Sequence, residues 1–301
     1  MTPRRTAPPT RVAAPDWVRA LHPAATDVHV LGTRNGTAHV IALAGPGGVP
    51  IVLKRYDDGR GAHAVRTMRA VQRALDATGG SAMLAVPSVH RWHAHAGVLA
   101  QTAVPGRPLL PLLATPRRRA ALTHAARALA ALHTSGARTG PVTTVADHLA
   151  ELIHPRPEHV ARAVPALGPR IRAVTAALRR WQATAAPVEA VPIHRDAHPR
   201  QMALDGRRVW LVDWDLAARG DAALDVANFA LYLRTRLAGD GDGAAETFLA
   251  AYRAHGVAVD DRLGVFTACM ALRLVCKTWR LGSPGWQSRM KGLLTRAERA
   301  L

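Results

Sequence analysis

The chain has 301 residues, 49% of them hydrophobic, and a formal net charge of +19, enough for one large domain or two lobes around a sizeable core. No apolar run approaches the roughly eighteen residues of a membrane span, and the basic, proline-broken opening lacks the apolar stretch of a secretory signal, so a cytoplasmic protein without a membrane partner is expected. Aromatic residues make up only 4%, which leaves few stacking platforms, and no dedicated nucleic-acid role is expected.

Cys269 and Cys276 are the two cysteines, and two turns of one helix between them place them too far apart for a disulfide; they read as core thiols. The positive charge is mostly Arg, because Lys occurs only at 54, 277 and 291. It is uneven: residues 213–261 hold nine acids and four Arg, a net of −5, which leaves +24 on the rest.

In chain order, residues 1–14 read as a flexible basic arm. Strands are expected at 27–31, 38–43 and 50–56, with Gly32-Thr-Arg-Asn-Gly36-Thr37 and Gly45–Gly48 as turns, so that 27–56 forms a meander. Val65, Met68, Val71 and Leu75 at helical spacing predict a helix over 61–77, stopped by Gly79-Gly80. Short strands near 84–92 and 97–104 follow, then a break at Val104-Pro-Gly-Arg107. Helices are expected at 117–134, 144–154, 158–163 and 168–185. Residues 201–204 and 209–212 read as a hairpin turning at Asp205-Gly206, and the remainder as helix interrupted at 239–243. A strand-rich front and a helical remainder predict an α+β, bilobal architecture: an N-lobe over 15–103 and a C-lobe over 104–301, with a ligand cleft between them.

The segment with the most chemistry is His194-Arg-Asp-Ala-His-Pro-Arg-Gln201, followed twelve residues later by Asp213. Phosphoryl transfer from a nucleotide needs divalent metal to bridge phosphate oxygens, and a base to align the acceptor hydroxyl and take its proton. Asp196 and Gln201, five apart on one loop, supply a base and a metal-facing amide oxygen, and the hairpin returns Asp213 beside them. Hard oxygen ligands suit Mg2+.

This segment resembles the catalytic loop His-x-Asp-x-x-x-x-Asn of kinase-like phosphotransferases, and more narrowly that of the aminoglycoside phosphotransferase family, in which the loop often continues with His-Pro, as at His198-Pro199. Asp213-Trp-Asp215 is similar to that family's metal motif, and Gly220-Asp-Ala-Ala-Leu-Asp225 to its downstream Gly-Asp-Pro-x-x-Asp. Ala130-Ala-Leu-His133 resembles its Leu-His helix end and Gly97–Gly106 its inter-lobe hinge. The resemblance covers roughly residues 25–280 and is specific over 194–225.

The resemblance implies the protein-kinase-like fold, with a small antiparallel-sheet N-lobe and a larger, mainly helical C-lobe, and ATP (or GTP) and Mg2+ as cofactors. Asp196 is then the catalytic base and Gln201 and Asp213 the metal ligands. Lys54, at the end of a front-lobe strand, reaches the nucleotide phosphates. Gly32 and Gly36 form a loose phosphate loop, and the segment from Thr102 to Val104 borders the adenine. His194, Arg195, His198, Asp215 and Asp225 support the site, with Asp225 anchoring the catalytic loop.

Two departures stand out: Gln201 replaces the family's Asn, and residues 1–150 contain no Glu to pair with Lys54. The expected acceptor is a hydroxyl of a small molecule, an aminoglycoside or related natural product, because the acidic 213–261 stretch suits a cation. One alternative is a Ser/Thr-directed enzyme acting on peptides in natural-product maturation, with the basic 262–301 region (eight Arg or Lys, one Glu) holding a peptide or protein partner. Another is a kinase-like pseudoenzyme that binds rather than transfers. No Gly-x-Ser-x-Gly elbow, Gly-Lys-Ser/Thr loop or Cys-x-x-Cys pair is present, which removes the common serine hydrolases, P-loop ATPases and zinc ribbons.

Overall fold

A computed structural model describes residues 10–11, 15–21, 29–34, 38–44, 50–237 and 239–301. The front third is an antiparallel sheet. Strand β1 (Thr10–Arg11) is followed by helix α1 (Asp16–Leu21), and then by β2 (His29–Arg34), β3 (Ala38–Ala44) and β4 (Pro50–Arg55). Helix α2 (Arg60–Thr78) comes next, then β5 (Leu84–Ala85), β6 (Val89–His93) and β7 (Val98–Thr102). The six-stranded sheet has the order β1-β2-β3-β4-β7-β6. Within the stretch read as an arm, Thr10 and Arg11 pair with Val30 and His29 at the sheet edge.

Strand alternation decides what each face does. Ile51 and Leu53 of β4 bury against α1, in a small core with Val18, Val98 and Ala100. Lys54 has the opposite parity and leaves that core for the other face. Helix α2 buries Val65, Met68, Val71 and Leu75, the periodic set read from the sequence, against the main core. A buried aliphatic side chain of this kind contributes about 1.5–3 kcal/mol.

The chain then enters the larger lobe through β8 (Arg107–Pro108), the short α3 (Leu109–Leu112) and α4 (Arg118–Thr134). Helices α5 (Val145–Asp147), α6 (Pro157–Ala163) and α7 (Gly168–Thr184) lead to strand β9 (Val191–Ile193). The 144–154 segment was expected as one helix. Instead, α5 is a single turn closed by a capping box between Thr144 and Asp147, and His148–Leu152 winds as a π-helix. The hairpin of β10 (Met202–Asp205) and β11 (Arg208–Leu211) pairs Asp205 with Arg208, and β12 (Ala218–Gly220) pairs back on β9. Helices α8 (Ala223–Arg236), α9 (Gly241–Arg253), α10 (Asp260–Leu281) and α11 (Trp286–Ala300) finish the lobe. Gly241–Gly243, expected in a loop, opens α9 because Asp240 caps the helix by accepting from the Gly243 N–H at 2.7 Å.

The basic 262–301 region forms α10 and α11, which pack on the core through Met270, Val275, Met290 and Leu294. Cys269 and Cys276 are free, and burial pushes both thiols up to about 12.

Candidate active site

Strand β9 delivers His194–His198 to the cleft as a loop pinned from below. Asp225, fully buried on the first turn of α8, accepts the backbone N–H of His194 at 2.6 Å and of Arg195 at 2.8 Å. Its other partner is His133, at the end of α4. Because the Asp225 carboxylate only accepts, His133 Nε2–H donates to it at 3.3 Å, and Nδ1 takes the Tyr252 hydroxyl proton at 2.6 Å. Burial opposes the charge on Asp225, but the His133 hydrogen bond and the His194 N–H outweigh it and hold the carboxyl below its usual range. Asn228, one turn along α8, donates to the Ala197 carbonyl at 2.8 Å.

This anchoring holds a costly backbone. Arg195 (φ 64°) and Asp213 (φ 73°) are the non-glycine residues in left-handed conformation among the described residues, and both lie in the cleft. Such conformations cost on the order of 1–3 kcal/mol each unless the surroundings impose them. His194 adds a second tie, with Nε2 2.9 Å from the Val212 carbonyl and its ring edge-on to Trp214 at 4.9 Å. Arg195 turns away from the cleft, and its guanidinium reaches Glu151 at 2.9 Å and His148 at 3.4 Å.

At the end of β11, Asp213 meets the front lobe. Lys54 Nζ donates to Asp213 Oδ1 and to Asp215 Oδ2, each at 2.5 Å. Tyr56, two residues beyond Lys54 and therefore on the same side of the strand, donates its hydroxyl to Asp215 Oδ1 at 2.7 Å. Burial, and then the Asp215 charge, push the Tyr56 phenol well above its usual range, so it stays a donor. The Gln201 side-chain amide donates to Asp213 Oδ2 at 2.9 Å. Four of the expected residues, Lys54, Gln201, Asp213 and Asp215, thus form one hydrogen-bonded cluster that joins the lobes.

The missing front-lobe Glu has a visible substitute. Helix α2 offers no carboxylate to Lys54; Asp215 takes that place from the other lobe, and Tyr56 fixes its second oxygen. Helix α2 contributes a latch instead, with His63 Nε2 2.8 Å from the Ala217 carbonyl.

Asp196 lies next to this cluster along the loop. Its Oδ1 is 3.1 Å from Arg273 Nη1 of α10, and its Oδ2 is 3.8 Å from His198 Nε2. Arg273 Nη1 also donates to the Arg195 carbonyl at 3.2 Å. His198 stacks on Tyr232 of α8 at 5.0 Å. Burial, with His194 and Lys277 adding to it against the opposing pull of Asp196, lowers the His198 imidazole to about 4, so it is neutral at physiological pH.

Two sequence expectations change, those for Gly32 and for the acidic stretch, while Thr102 and Val104 lie where the chain leaves the front lobe. Gly32, expected in a turn, lies inside β2 beside an irregularity in its register with β3, and Gly36 lies outside the described residues. Thr102 pairs with Ile51 at the end of β7, with its hydroxyl 3.2 Å from His90, and Val104 is half-buried in the connection to β8. Most of the acids of 213–261 are engaged within the fold. Asp221 pairs with Arg262, Asp242 and Glu246 with Arg234, and Asp260 with Arg253, while Asp225 is internal and Asp240 caps α9.

Tyr56, Asn228, Arg273 and Tyr252 were not singled out from the sequence. The signal for Tyr56 was its i+2 spacing from Lys54 on a strand, and that for Asn228 its i+3 spacing from Asp225 on a helix.

A family model described as the phosphotransferase enzyme family matches residues 31–263. The chain belongs to that family. The fold of this phosphotransferase-family protein is shared with solved structures of low identity. A choline/ethanolamine kinase family protein from Mesorhizobium loti aligns at a TM-score of 0.62 and 18% identity, covering 95% of this chain and 94% of that one. The aminoglycoside phosphotransferase APH(4)-Ia, solved in one form as a ternary complex with AMP-PNP and hygromycin B, aligns at 0.69 and 17%, covering 94% and 96%. The choline kinase LicA from Streptococcus pneumoniae aligns at 0.62 and 14%, covering 94% and 97%. No curated protein matches this phosphotransferase-family chain at a significant level by sequence. The α+β, kinase-like architecture expected from the sequence is the one observed, and no helix among the described residues is long and apolar enough to cross a membrane.

Proposed function

We propose that this protein transfers the γ-phosphate of a nucleoside triphosphate, ATP or GTP, to a hydroxyl of a small molecule, with magnesium. The observation that carries the reading is the convergence of Lys54, Gln201 and Asp213 within hydrogen-bond distance, beside an Asp196 held on a loop that two N–H bonds to a buried carboxylate keep rigid. Catalysis of this kind rests on positioning and electrostatic stabilisation more than on covalent chemistry.

In the proposed roles, Asp196 orients the acceptor hydroxyl. The hydroxyl oxygen forms the new bond to the γ-phosphorus, the bond to the β–γ bridging oxygen breaks with its electron pair leaving on the nucleoside diphosphate, and the hydroxyl proton passes to an Asp196 oxygen. Lys54 holds nucleotide phosphate oxygens and is itself aimed by Asp215 and Tyr56. The adenine lies against Thr102–Val104. The residues fit magnesium: Gln201, five residues past Asp196, and Asp213, twelve residues further on, carry an amide oxygen and a carboxylate, which are hard ligands, and the Gln201 N–H donated to Asp213 brings the two side chains together. Asp213 and Gln201 would hold the ion, which when bound neutralises phosphate charge.

The relatives named above include kinases of choline-like alcohols and an enzyme solved with hygromycin B, and these support a small hydroxylic acceptor over a peptide. The basic 262–301 region, on which the peptide reading leaned, forms two helices packed on the core.

The test is transfer of labelled phosphate from ATP and GTP to pooled hydroxyl compounds. Asp196→Asn should reduce transfer by about 10²–10⁴-fold while the protein stays folded. Transfer at the wild-type rate in that variant would overturn the assignment of the base.

A further inference from the structure

The surroundings of Asp196 have the wrong sign for a cationic acceptor. Four cations border it and the neighbouring loop. Arg273 sits 3.1 Å from Asp196 itself. Lys277, one turn along α10 on the same face, is exposed, and its charge is felt at His198. Arg200, exposed on the catalytic loop, reaches the Tyr232 hydroxyl, and Arg236, one turn beyond Tyr232 on α8, acts on the same phenol. His198 and Tyr232 are both neutral and form a stacked floor between these cations.

Several acids of this lobe are engaged with other arginines, and Asp213 and Asp215 share Lys54. Asp221, Asp242, Glu246 and Asp260 pair with Arg262, Arg234 and Arg253, and Glu151 pairs with Arg195 on the far side of the loop.

The charge continues outward. Arg236 also borders a cleft of about 240 Å3 between α8, α10 and α11, lined besides by Arg234, Leu274, Thr278, Arg289 and Arg296. Two of its guanidiniums are partly balanced, Arg234 by Asp242 and Glu246 and Arg296 by Asp242, while Arg289 donates to the carbonyls of Ser283 and Pro284. The cleft and the rim around Asp196 are both cationic. A strongly cationic acceptor such as an aminoglycoside would meet like charge from either direction, and partially desolvated like charges cost more than they would in water.

We propose that the acceptor carries its own anionic group, a carboxylate or a phosphate or sulfate ester, held by Arg200, Lys277 and Arg273 while its hydroxyl meets Asp196. This deepens the phosphotransferase reading and rests on it for the transfer step. The anion subsite itself exists or fails independently of that step. Arg supplies the bidentate geometry that carboxylate and phosphate oxygens favour, and the exposed Lys a point charge at the entrance.

Two measurements test it. In the first, sodium sulfate is titrated into full-length protein saturated with AMP-PNP and magnesium, so that nucleotide-phosphate contacts are already filled, with sodium chloride as the control. Saturable sulfate binding is expected, weakened about tenfold in the double variant Arg200→Gln, Lys277→Gln, a loss of about 1.4 kcal/mol. Both positions are exposed, so folding is not at stake. Sulfate bound no better than chloride, or equally by both proteins, overturns the subsite. In the second, phosphate transfer is compared across hydroxy and sugar acids, hydroxylic phosphate esters, and a cationic pool of aminoglycosides and choline-like alcohols. Transfer to either anionic pool, with a higher KM and similar kcat in the double variant, supports the proposal and tells carboxylate from phosphate. Transfer to the cationic pool alone overturns it and leaves the phosphotransferase reading standing. Failure of the wild type to bind AMP-PNP defeats that reading instead, and sulfate added to the nucleotide-free protein then decides the subsite by the same comparison of variants.

Discussion

At Lys54 the two lobes meet, and its ammonium is held by Asp213 and Asp215 with no front-lobe Glu beside it. An ammonium between two carboxylates, one of them fixed by a tyrosine hydroxyl, has fewer orientations than one facing a single mobile Glu. Tyr56→Phe removes only the hydroxyl. It should cost about 1.5–3 kcal/mol of folding stability, the worth of one hydrogen bond to a charged group, and lower kcat/KM for the nucleotide about tenfold through misaimed Lys54. Steady-state kinetics with varied nucleotide check this, and an unchanged kcat/KM would mean that Asp215 needs no help. Asp225→Asn is a harsher change, because an amide cannot replace both carboxylate oxygens as acceptors for the two loop N–H groups and His133. It should destabilise by about 3–5 kcal/mol in urea denaturation, since it breaks a fully buried charged network. The sequence made Asp225 legible through its place after Gly220-Asp221, and Lys54 through the scarcity of lysine. Tyr56 and Arg273 escaped notice because their roles depend on which residues stand across the cleft, and no local pattern in the chain encodes that.

At the scale of elements, β4 and α2 set the position of the cluster. Alternation along β4 was readable, and it correctly separates Ile51 and Leu53 on the core side from Lys54 on the cleft side. The helix period of α2 was readable as well. Its docking was not, because it rests on a residue with no side chain: a Cβ on Gly61 would lie 2.7 Å from the Tyr56 ring and closer still to Trp92. Gly61→Ala is therefore expected to push α2 off Tyr56. The overpacking penalty of about 1–3 kcal/mol should exceed the helix-propensity gain, which is at most about 1 kcal/mol near a helix start. Thermal unfolding should show a lowered Tm, whereas a raised Tm would mean that the contact yields without strain. The π-turn at His148–Leu152 escaped the sequence reading, because its partner Arg195 is distant in the chain, and the strand expected near 84–92 is split into β5, which pairs with β11, and β6, which pairs with β7.

Over the whole molecule, much of the charge that composition shows is spent on holding elements together. The acids of 213–261 hold helices and arginines in place, and the cations of 262–301 belong to packed helices, one of which sets Arg273 against Asp196. Buried histidines make the fold sensitive to acid. Burial, helped by the Arg195 charge, lowers His148 from 6.5 to about 3. Because the unfolded chain binds this proton first, the group destabilises the fold as pH falls below the unfolded value, most steeply between the two. From pH 7 to about pH 4.5 its share is about 2.5 kcal/mol. Urea midpoints for wild type and His148→Gln should therefore converge on acidification, and parallel curves would refute this role.

If Lys54 and Asp213 form a magnesium-dependent nucleotide site, calorimetric titration of AMP-PNP with and without magnesium, into wild type, Lys54→Met and Asp213→Asn, will show it. Binding by the wild type is expected to need magnesium, to weaken about tenfold or more in Lys54→Met and to lose its magnesium dependence in Asp213→Asn. Absent binding in the wild type, or equal magnesium-dependent binding by all three proteins, would contradict it.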